Sequence, residues 1–344
     1  MNVDPALLTE TAEQAELRAV VRDLLTTGED EKHWTRLAGE VGAHGLAIPE
    51  RHGGAGFTFA ELAVVLEETG RTLCCGSLLP TVVLAAHTLL HSGDERYLPR
   101  IATGELTAAV AGFADGTTVR AERAGAGWVL HGTVDFVLDG QHADLVLVRA
   151  GDRLFAVEST VEDWRRIPRR VLDDTRPQAL LDFSGTPAIP IGSAEVVPAV
   201  LDIGRAALAV EQVGGIQHAL DATVSYVRER RQFDRPIGSF QAVKHRLADL
   251  LVELEAARSS AAYAVACVAT GSPDLPVAAS AAAVVCSAAF QRAAAEYVQL
   301  HGGIGFTWEH PAHRYVRRAR TGEVLFGDQE FHRARLAAAL VTTH

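Results

Sequence analysis

Arg228-Glu229-Arg230-Arg231-Gln232-Phe233-Asp234-Arg235-Pro236-Ile237-Gly238-Ser239-Phe240-Gln241 lies between two long stretches of helical apolar periodicity. Pro236 has no amide hydrogen to give a helix and Gly238 weakens one, so the segment reads as a basic turn joining two helices. Upstream, Leu201 to Arg228 reads as one long helix. Downstream, Val243, Leu247, Leu250, Leu251, Leu254 and Ala257 mark another, which stops at the breaker Thr270-Gly271-Ser272-Pro273. A third helix runs from Val277 to about Leu300, and a fourth closes the chain after Pro311. Long amphipathic helices with short connections predict a four-helix bundle. A second glycine-rich turn follows the third helix: Gln299-Leu300-His301-Gly302-Gly303-Ile304-Gly305-Phe306.

Toward the N-terminus the pattern changes twice. From Ala108 to about Pro190, the runs Trp128 to Gly140, Leu145 to Val148, Leu154 to Val157 and Ala179 to Phe183 are β-rich and separated by glycine turns. They predict a small antiparallel β domain or barrel. Before them the chain reads as helices. Leu7, Leu8, Ala15, Leu17, Val20, Val21, Leu24 and Leu25 form a stripe that stops at Gly28, and further helices are expected at Trp34 to Gly42 and Phe59 to Gly70. Gly53-Gly54-Ala55-Gly56 is only a weak phosphate-loop lookalike and reads as a connector needing positive φ. The expected class is mainly α with a central β domain, divided as 1–107, 108–196 and 197–344.

At 344 residues, two or three packed units are expected. Hydrophobic residues make up 48% of the chain, too many for a disordered protein. The net charge of −11, with no long basic run, argues against nucleic acid as a partner. The most apolar stretch, Val277 to Phe290, is short for a membrane span and reads as a buried helix. Met1-Asn2-Val3-Asp4-Pro5 lacks the basic-then-apolar layout of a signal peptide, so a cytoplasmic location is expected. Cys74, Cys75, Cys267 and Cys286 read as reduced thiols, and no Cys/His spacing suggests a metal site.

The two glycine-containing turns, in this order, resemble the acyl-CoA dehydrogenase flavoprotein family. So do Trp34, Gly45-Leu46-Ala47-Ile48-Pro49-Glu50, Glu67-Glu68-Thr69-Gly70 and Tyr97 to Glu105, so the similarity covers nearly the whole chain. The resemblance implies FAD as cofactor, an acyl thioester such as acyl-CoA as substrate, and a separate electron-accepting flavoprotein. It makes Arg230 the contact to the FAD pyrophosphate, across a subunit interface, with Phe233 packing nearby. Gln299 and the backbone at Gly302 and Gly303 would hold the adenosine end. A guanidinium suits a pyrophosphate because it forms paired, charge-assisted hydrogen bonds; the alternative for Arg230, a solvated helix-end arginine, is outweighed by the presence of both motifs. Arg205 matches an arginine near the family's reaction centre, with an ion pair to Asp202 or Glu211 as the alternative.

The family's reaction needs a carboxylate to take the α-proton of the thioester. The two positions that carry it in the family fall here on Gly204 and Phe326, and neither is acidic. Asp328 is the nearest carboxylate. It reads either as a displaced base or as the N-cap of a helix beginning Gln329-Glu330; Glu323 and Glu330 are further options. Where the family has a Trp-Ile-Thr run against the flavin ring, this chain has Phe136-Val137-Leu138. Only Ala111 to Gly116 represents the family's other ring-facing segment. The chain therefore resembles the shorter, base-less subunit of heteromeric acyl-CoA dehydrogenases of the actinobacterial steroid side-chain type. That likeness implies an α2β2 assembly in which a homologous subunit supplies the glutamate. A homo-oligomeric dehydrogenase using Asp328, and a non-catalytic structural or regulatory subunit, are the competing expectations.

Overall fold

The computed structural model describes residues 3–27, 32–74, 77–114 and 118–342. Gly28, Cys75, Asp115 and Gly116, each used in the sequence reading, lie outside the described residues, as do Met1 and Asn2. The helical–β–helical order is as expected. Helices α1 (Ala12–Thr26), α2 (His33–Arg36), α3 (Phe59–Thr72), α4 (Ala86–Ser92) and α5 (Leu98–Ala102) precede a sheet. Helices α6 (Val197–Glu229), α7 (Gln241–Thr270), α8 (Leu275–His301), α9 (Ala312–Val324) and α10 (Gln329–Thr342) follow it. The chain divides into two compact units, one of Met1–Thr26, Ala63–Cys74 and Arg205–His344, the other of Thr27–Leu62 and Cys75–Gly204.

In the first unit, glycines set how closely helices pack. A Cβ on Gly70 of α3 would overlap the Glu211 carbonyl of α6, and one on Gly214 of α6 would overlap the Glu67 carbonyl of α3. On the next residue, Gly215, a Cβ would strike the ring of Phe290 on α8. α3 also carries charge inward. Glu68 keeps 2% of its side chain exposed and receives Arg18 at 3.0 Å and Arg22 at 2.7 Å, both from α1. Burial alone would raise its carboxyl; the two guanidinium partners overcome that, and the pKa falls below the usual carboxylate value. Beside it, Glu67 pairs with Arg18 at 2.9 Å and with Arg258 of α7 at 2.8 Å. By length and hydropathy α8 could cross a bilayer, but its buried residues pack against α7, α9 and α10.

The helical region expected after Pro311 is two helices, with Asp328 at the start of the second, where the N-cap reading put it. α9 ends at Val324, Phe326 and Gly327 take φ of 64° and 115°, and α10 restarts at Gln329. A Cβ on Gly327 would enter the Phe331 ring, so the break depends on glycine as well as on the cap at Asp328. Trp34 to Gly42 is also more finely divided: α2 widens into a π-helical turn, Leu37–Val41, before Gly42 ends it at φ 67°.

The second unit contains, among the described residues, a seven-stranded sheet in the order β1 (Ala108–Ala111), β4 (Leu145–Ala150), β5 (Arg153–Glu158), β7 (Gln178–Ser193), β3 (Gly127–Leu138), β2 (Arg120–Ala124), with β6 (Trp164–Pro168) also beside β7. Its pairs are antiparallel except β1 with β4, which run parallel in register Ala108 to Leu145. Asp144 anchors that pair by accepting from the Thr107 amide and hydroxyl, each at 2.9 Å. The apolar faces of β3, β4, β5 and β7 enclose Leu130, Val146, Phe155, Leu181 and Phe183. Strands β2 and β6 escaped the sequence reading because arginines interrupt their alternation. Both border the sheet, where charge blunts an open edge.

β3 and β7 slip register between Val134 and Val137, and at that bulge Phe136 takes φ 55° and stands 62% exposed. Three residues on, Asp139 is buried, at φ 53°, and pairs its carboxyl with the Ser77 hydroxyl. Burial, aided by Asp144, pushes this carboxyl up to about 6 against the pull of His142.

Two outcomes are expected from this packing. Gly214→Ala should lower stability by about 3 kcal/mol, read as a lower denaturant midpoint at unchanged slope. Gly39→Ala should not, because nothing lies within 4 Å of a Cβ there. For Asp139, the folded state holds its proton more tightly than the unfolded chain. Stability from this group is present below the unfolded value of 3.8 and is lost as pH rises toward about 6. Asp139→Asn should therefore match the parent in thermal melts near pH 4 and exceed it at pH 8, by at most about 3 kcal/mol; equal melts at pH 8 would refute the assignment.

Candidate functional site

The residues singled out from sequence gather at the two ends of α6. At its C-terminal end the basic turn is a miniature hairpin. Strands β8 (Arg231–Gln232) and β9 (Arg235–Pro236) pair antiparallel, with Phe233 and Asp234 as the two turn residues at φ 51° and 60°. Two successive positive φ values suit the right-handed strand twist, but Phe233 is a bulky residue held in a strained region. The turn holds its ring out, 85% exposed, with the Phe240 ring edge-on at 6.1 Å. Arg230 enters this hairpin from α6, its amide bonded to Tyr226 O at 2.9 Å and its carbonyl to the Ile237 amide at 2.8 Å. Its side chain is exposed, and Arg235 lies over the Phe240 ring at 4.0 Å.

The second glycine turn is brought to the same end. Tyr226 stacks on His301, ring centroids 4.2 Å apart, and donates its hydroxyl to His301 O at 3.3 Å. Gln299 is exposed, and the Gly302 amide returns to Gln299 O at 3.2 Å. At φ 62° and ψ −138°, Gly302 occupies a region open to glycine alone. Gly303 differs: its φ of −56° and ψ of −38° suit any residue, and an added Cβ would meet nothing within 4 Å. Among the described residues nothing close by requires glycine there.

Behind the turn lies a ladder of rings. His301 faces His310 at 4.5 Å and Tyr297 at 4.9 Å, while His218 stacks on Tyr315 at 4.5 Å. Burial lowers the pKa of His301 and His310, and takes His218 down to about 4. The ladder is therefore neutral at neutral pH. His301 Nδ1 lies 2.7 Å from Tyr297 O, so this nitrogen carries the proton and donates it. Outside the ladder, Phe306 and Trp308 are 88% and 76% exposed.

The other end of α6 is built differently. Arg205 is buried and donates from Nε to Phe326 O at 2.9 Å, and its guanidinium lies 5.3 Å from the Phe331 ring centre. Asp328 accepts the Phe331 amide through Oδ1 at 2.8 Å, the geometry of an N-cap for α10. A cavity of about 10 Å³ remains among Arg205, Gln212, Ser287, Glu323 and Gly327, about enough for one water. Gly204, the other position matched to the family's base, is a buried residue of α6.

The structure thus brings Arg230 and Phe233 together with Gln299, Gly302 and Gly303, and separately joins Arg205, Phe326 and Asp328. At 1.5 Å per residue, Arg205 and Glu229 stand about 36 Å apart along α6, so the two groups cannot serve one reacting centre. Sequence reading missed Tyr226 and His301, although each had a signal. Tyr226 lies one helical turn before Arg230, and His301 directly precedes Gly302. The first group suits a dinucleotide: an exposed guanidinium for a pyrophosphate, an exposed ring, and an open backbone turn.

Comparison with known proteins gives a family. Residues 9–105 match the acyl-CoA dehydrogenase N-terminal domain and residues 194–341 the acyl-CoA dehydrogenase C-terminal domain. The chain is 38% identical over 320 residues to acyl-CoA dehydrogenase IpdE2 of Mycobacterium tuberculosis, covering 91% of this chain and 87% of that one. Among solved structures it is similar to a chain of the Tcur3481-Tcur3483 steroid ACAD, with a TM-score of 0.86, 31% identity, and 97% and 99% of the two chains covered. It is also similar to a chain of the ChsE4-ChsE5 complex of Mycobacterium tuberculosis, with a TM-score of 0.87, 27% identity, and 97% and 98% covered. Both flanking helical regions and most of the length agree, and this chain belongs to the acyl-CoA dehydrogenase family of oxidoreductases.

Proposed function

We propose that this chain is the base-less subunit of a heteromeric, FAD-dependent acyl-CoA dehydrogenase acting on an acyl thioester. The observation that carries the reading is the separation of its two residue groups on α6. Arg230, Phe233 and the Gln299 to Gly303 turn offer an exposed cation, an exposed ring and an open backbone, all suited to the pyrophosphate and adenosine of FAD. Some 36 Å away along the helix, where the family's base is matched, stands Phe326. Its backbone is at φ 64° and its carbonyl is tied to Arg205, leaving no carboxylate at that position. A chain so arranged lends its dinucleotide contacts to a flavin whose ring and base belong to a homologous partner.

Bound FAD supplies the electron acceptor for α,β-dehydrogenation. Arg230, Phe233 and the Gln299 to Gly303 turn would hold its phosphates and adenosine, the partner's carboxylate would take the α-proton, and the electrons would leave to a separate flavoprotein. The exposed Phe233, Phe306 and Trp308 support assembly, because aromatic surface of this kind marks contact faces. The likeness to chains of the steroid ACAD and of the ChsE4-ChsE5 complex supports an α2β2 arrangement and a polycyclic or steroid-derived acyl group.

Produced alone, the chain should show little visible flavin absorbance and no acyl-CoA oxidation. Co-produced with a homologous subunit bearing a glutamate at either base position, it should yield a yellow, active heteromer. Stoichiometric flavin and turnover from the chain alone would overturn the heteromer.

Asp328→Asn decides between partner base and self-sufficiency. Asparagine caps a helix as aspartate does, so turnover of the complex should change less than about twofold. A loss of activity with an unchanged melting temperature would instead make Asp328 the base and overturn the reading that the partner supplies it.

A further inference from the structure

Tyr226 belongs to neither flavin-contact segment, yet it touches both. Its own carbonyl accepts the Arg230 amide at 2.9 Å, which makes it the last rung beneath the pyrophosphate arginine. From the same residue the hydroxyl crosses to His301 O at 3.3 Å, and the ring stacks on the His301 imidazole at an interplanar angle of 23°. The His301–Gly302 peptide is thereby held at both polar atoms: its oxygen by Tyr226, its N–H by Gln299 O at 3.2 Å. That peptide sets the direction in which the open face of Gly302 and Gly303 points. Because Gly302 at φ 62° and ψ −138° has little steric guidance of its own, an external tether is needed to define it. The imidazole is held in turn, since Nδ1 donates to Tyr297 O and the ring abuts His310.

We infer that Tyr226 is a positioning residue for the cofactor, a strut that holds the Arg230 end of α6 and the His301–Gly302 peptide in one register so that pyrophosphate and adenosine are met together. The inference rests on the flavin reading proposed above. The tether contributes by pre-organisation: without it, binding must order the glycine turn at the moment of contact. The strut touches segments expected to meet the nucleotide half of the cofactor. Its loss is therefore felt more by FAD than by FMN, which keeps one phosphate and lacks the adenosine monophosphate.

The test measures affinity for FAD and for FMN in the heteromer, made apo by flavin removal, for the parent and for Tyr226→Phe, Tyr226→Leu and Arg230→Ala. Tyr226→Phe keeps the stack and removes one hydrogen bond. It should weaken FAD about two- to tenfold with the melting temperature unchanged, and weaken FMN by a smaller factor. Tyr226→Leu, which also loses the stack, should weaken FAD further. Equal weakening of FAD and FMN by Tyr226→Phe would reduce Tyr226 to a general structural role, and unchanged FAD affinity would remove the strut altogether. Either result, with FAD lost in Arg230→Ala, overturns this inference alone. FAD affinity unchanged in Arg230→Ala overturns the flavin reading and the strut with it.

Discussion

Gly70 on α3 and Gly214 on α6 let two helices meet with a carbonyl of each seated where the other's Cβ would stand. Contact this close leaves no room for rotation or sliding, because interiors are packed at crystal-like density and do not deform gradually. Much of the first unit takes its position from it. With α6 pinned by its Gly214-Gly215 pair between α3 and Phe290 of α8, α3 becomes a post that also holds α1 through Glu68 and α7 through Glu67. α9 is tied to the same post where the Tyr315 hydroxyl donates to Arg71 O at 2.7 Å. The buried charges at Glu67 and Glu68 are tolerable because each carboxylate meets guanidinium groups; a single unpaired carboxylate there would be strongly destabilising.

An immobile α6 acts as a ruler. Residues at its start and its end are held at a separation that no side-chain motion can close, and the chemistry of the two ends differs accordingly. One end is exposed, cationic and aromatic. The other is closed, with Arg205 turned onto a backbone carbonyl and Asp328 engaged as a helix cap. On the function proposed above, such a chain would lend cofactor contacts while a partner supplied the carboxylate, a division of labour that requires an assembly.

Legibility in the sequence varied with the physical origin of each feature. The long helices and the central strands were readable because burial imposes a period, as on Val243 to Ala257 and along Leu145 to Val148. Strands β2 and β6 were not, since at a sheet border the outward pressure for charge masks the alternation. The break between α9 and α10 was legible only in part, through the N-cap reading of Asp328. Gly327 is a visible signal, but a Phe at positive φ is not, and the position of Phe326 is stabilised by Arg205 from 121 residues away. For the candidate site, Arg230, Gln299 and the glycines were legible as motifs, whereas Tyr226 and His301 were marked only by their spacing from Arg230 and Gly302.

Sequence alone determined the family, the order of helical and β regions, the two glycine-containing turns, and the absence of an acid at Gly204 and Phe326. All of these are properties of residue identity and local spacing, written into the chain before it folds. Only tertiary structure decided that the Arg230 turn and the Gly302 turn meet through Tyr226 and His301, and that Arg205 serves the Phe326 carbonyl. Each of those outcomes depends on which groups packing brings within hydrogen-bonding distance, at separations in the chain over which no local pattern persists.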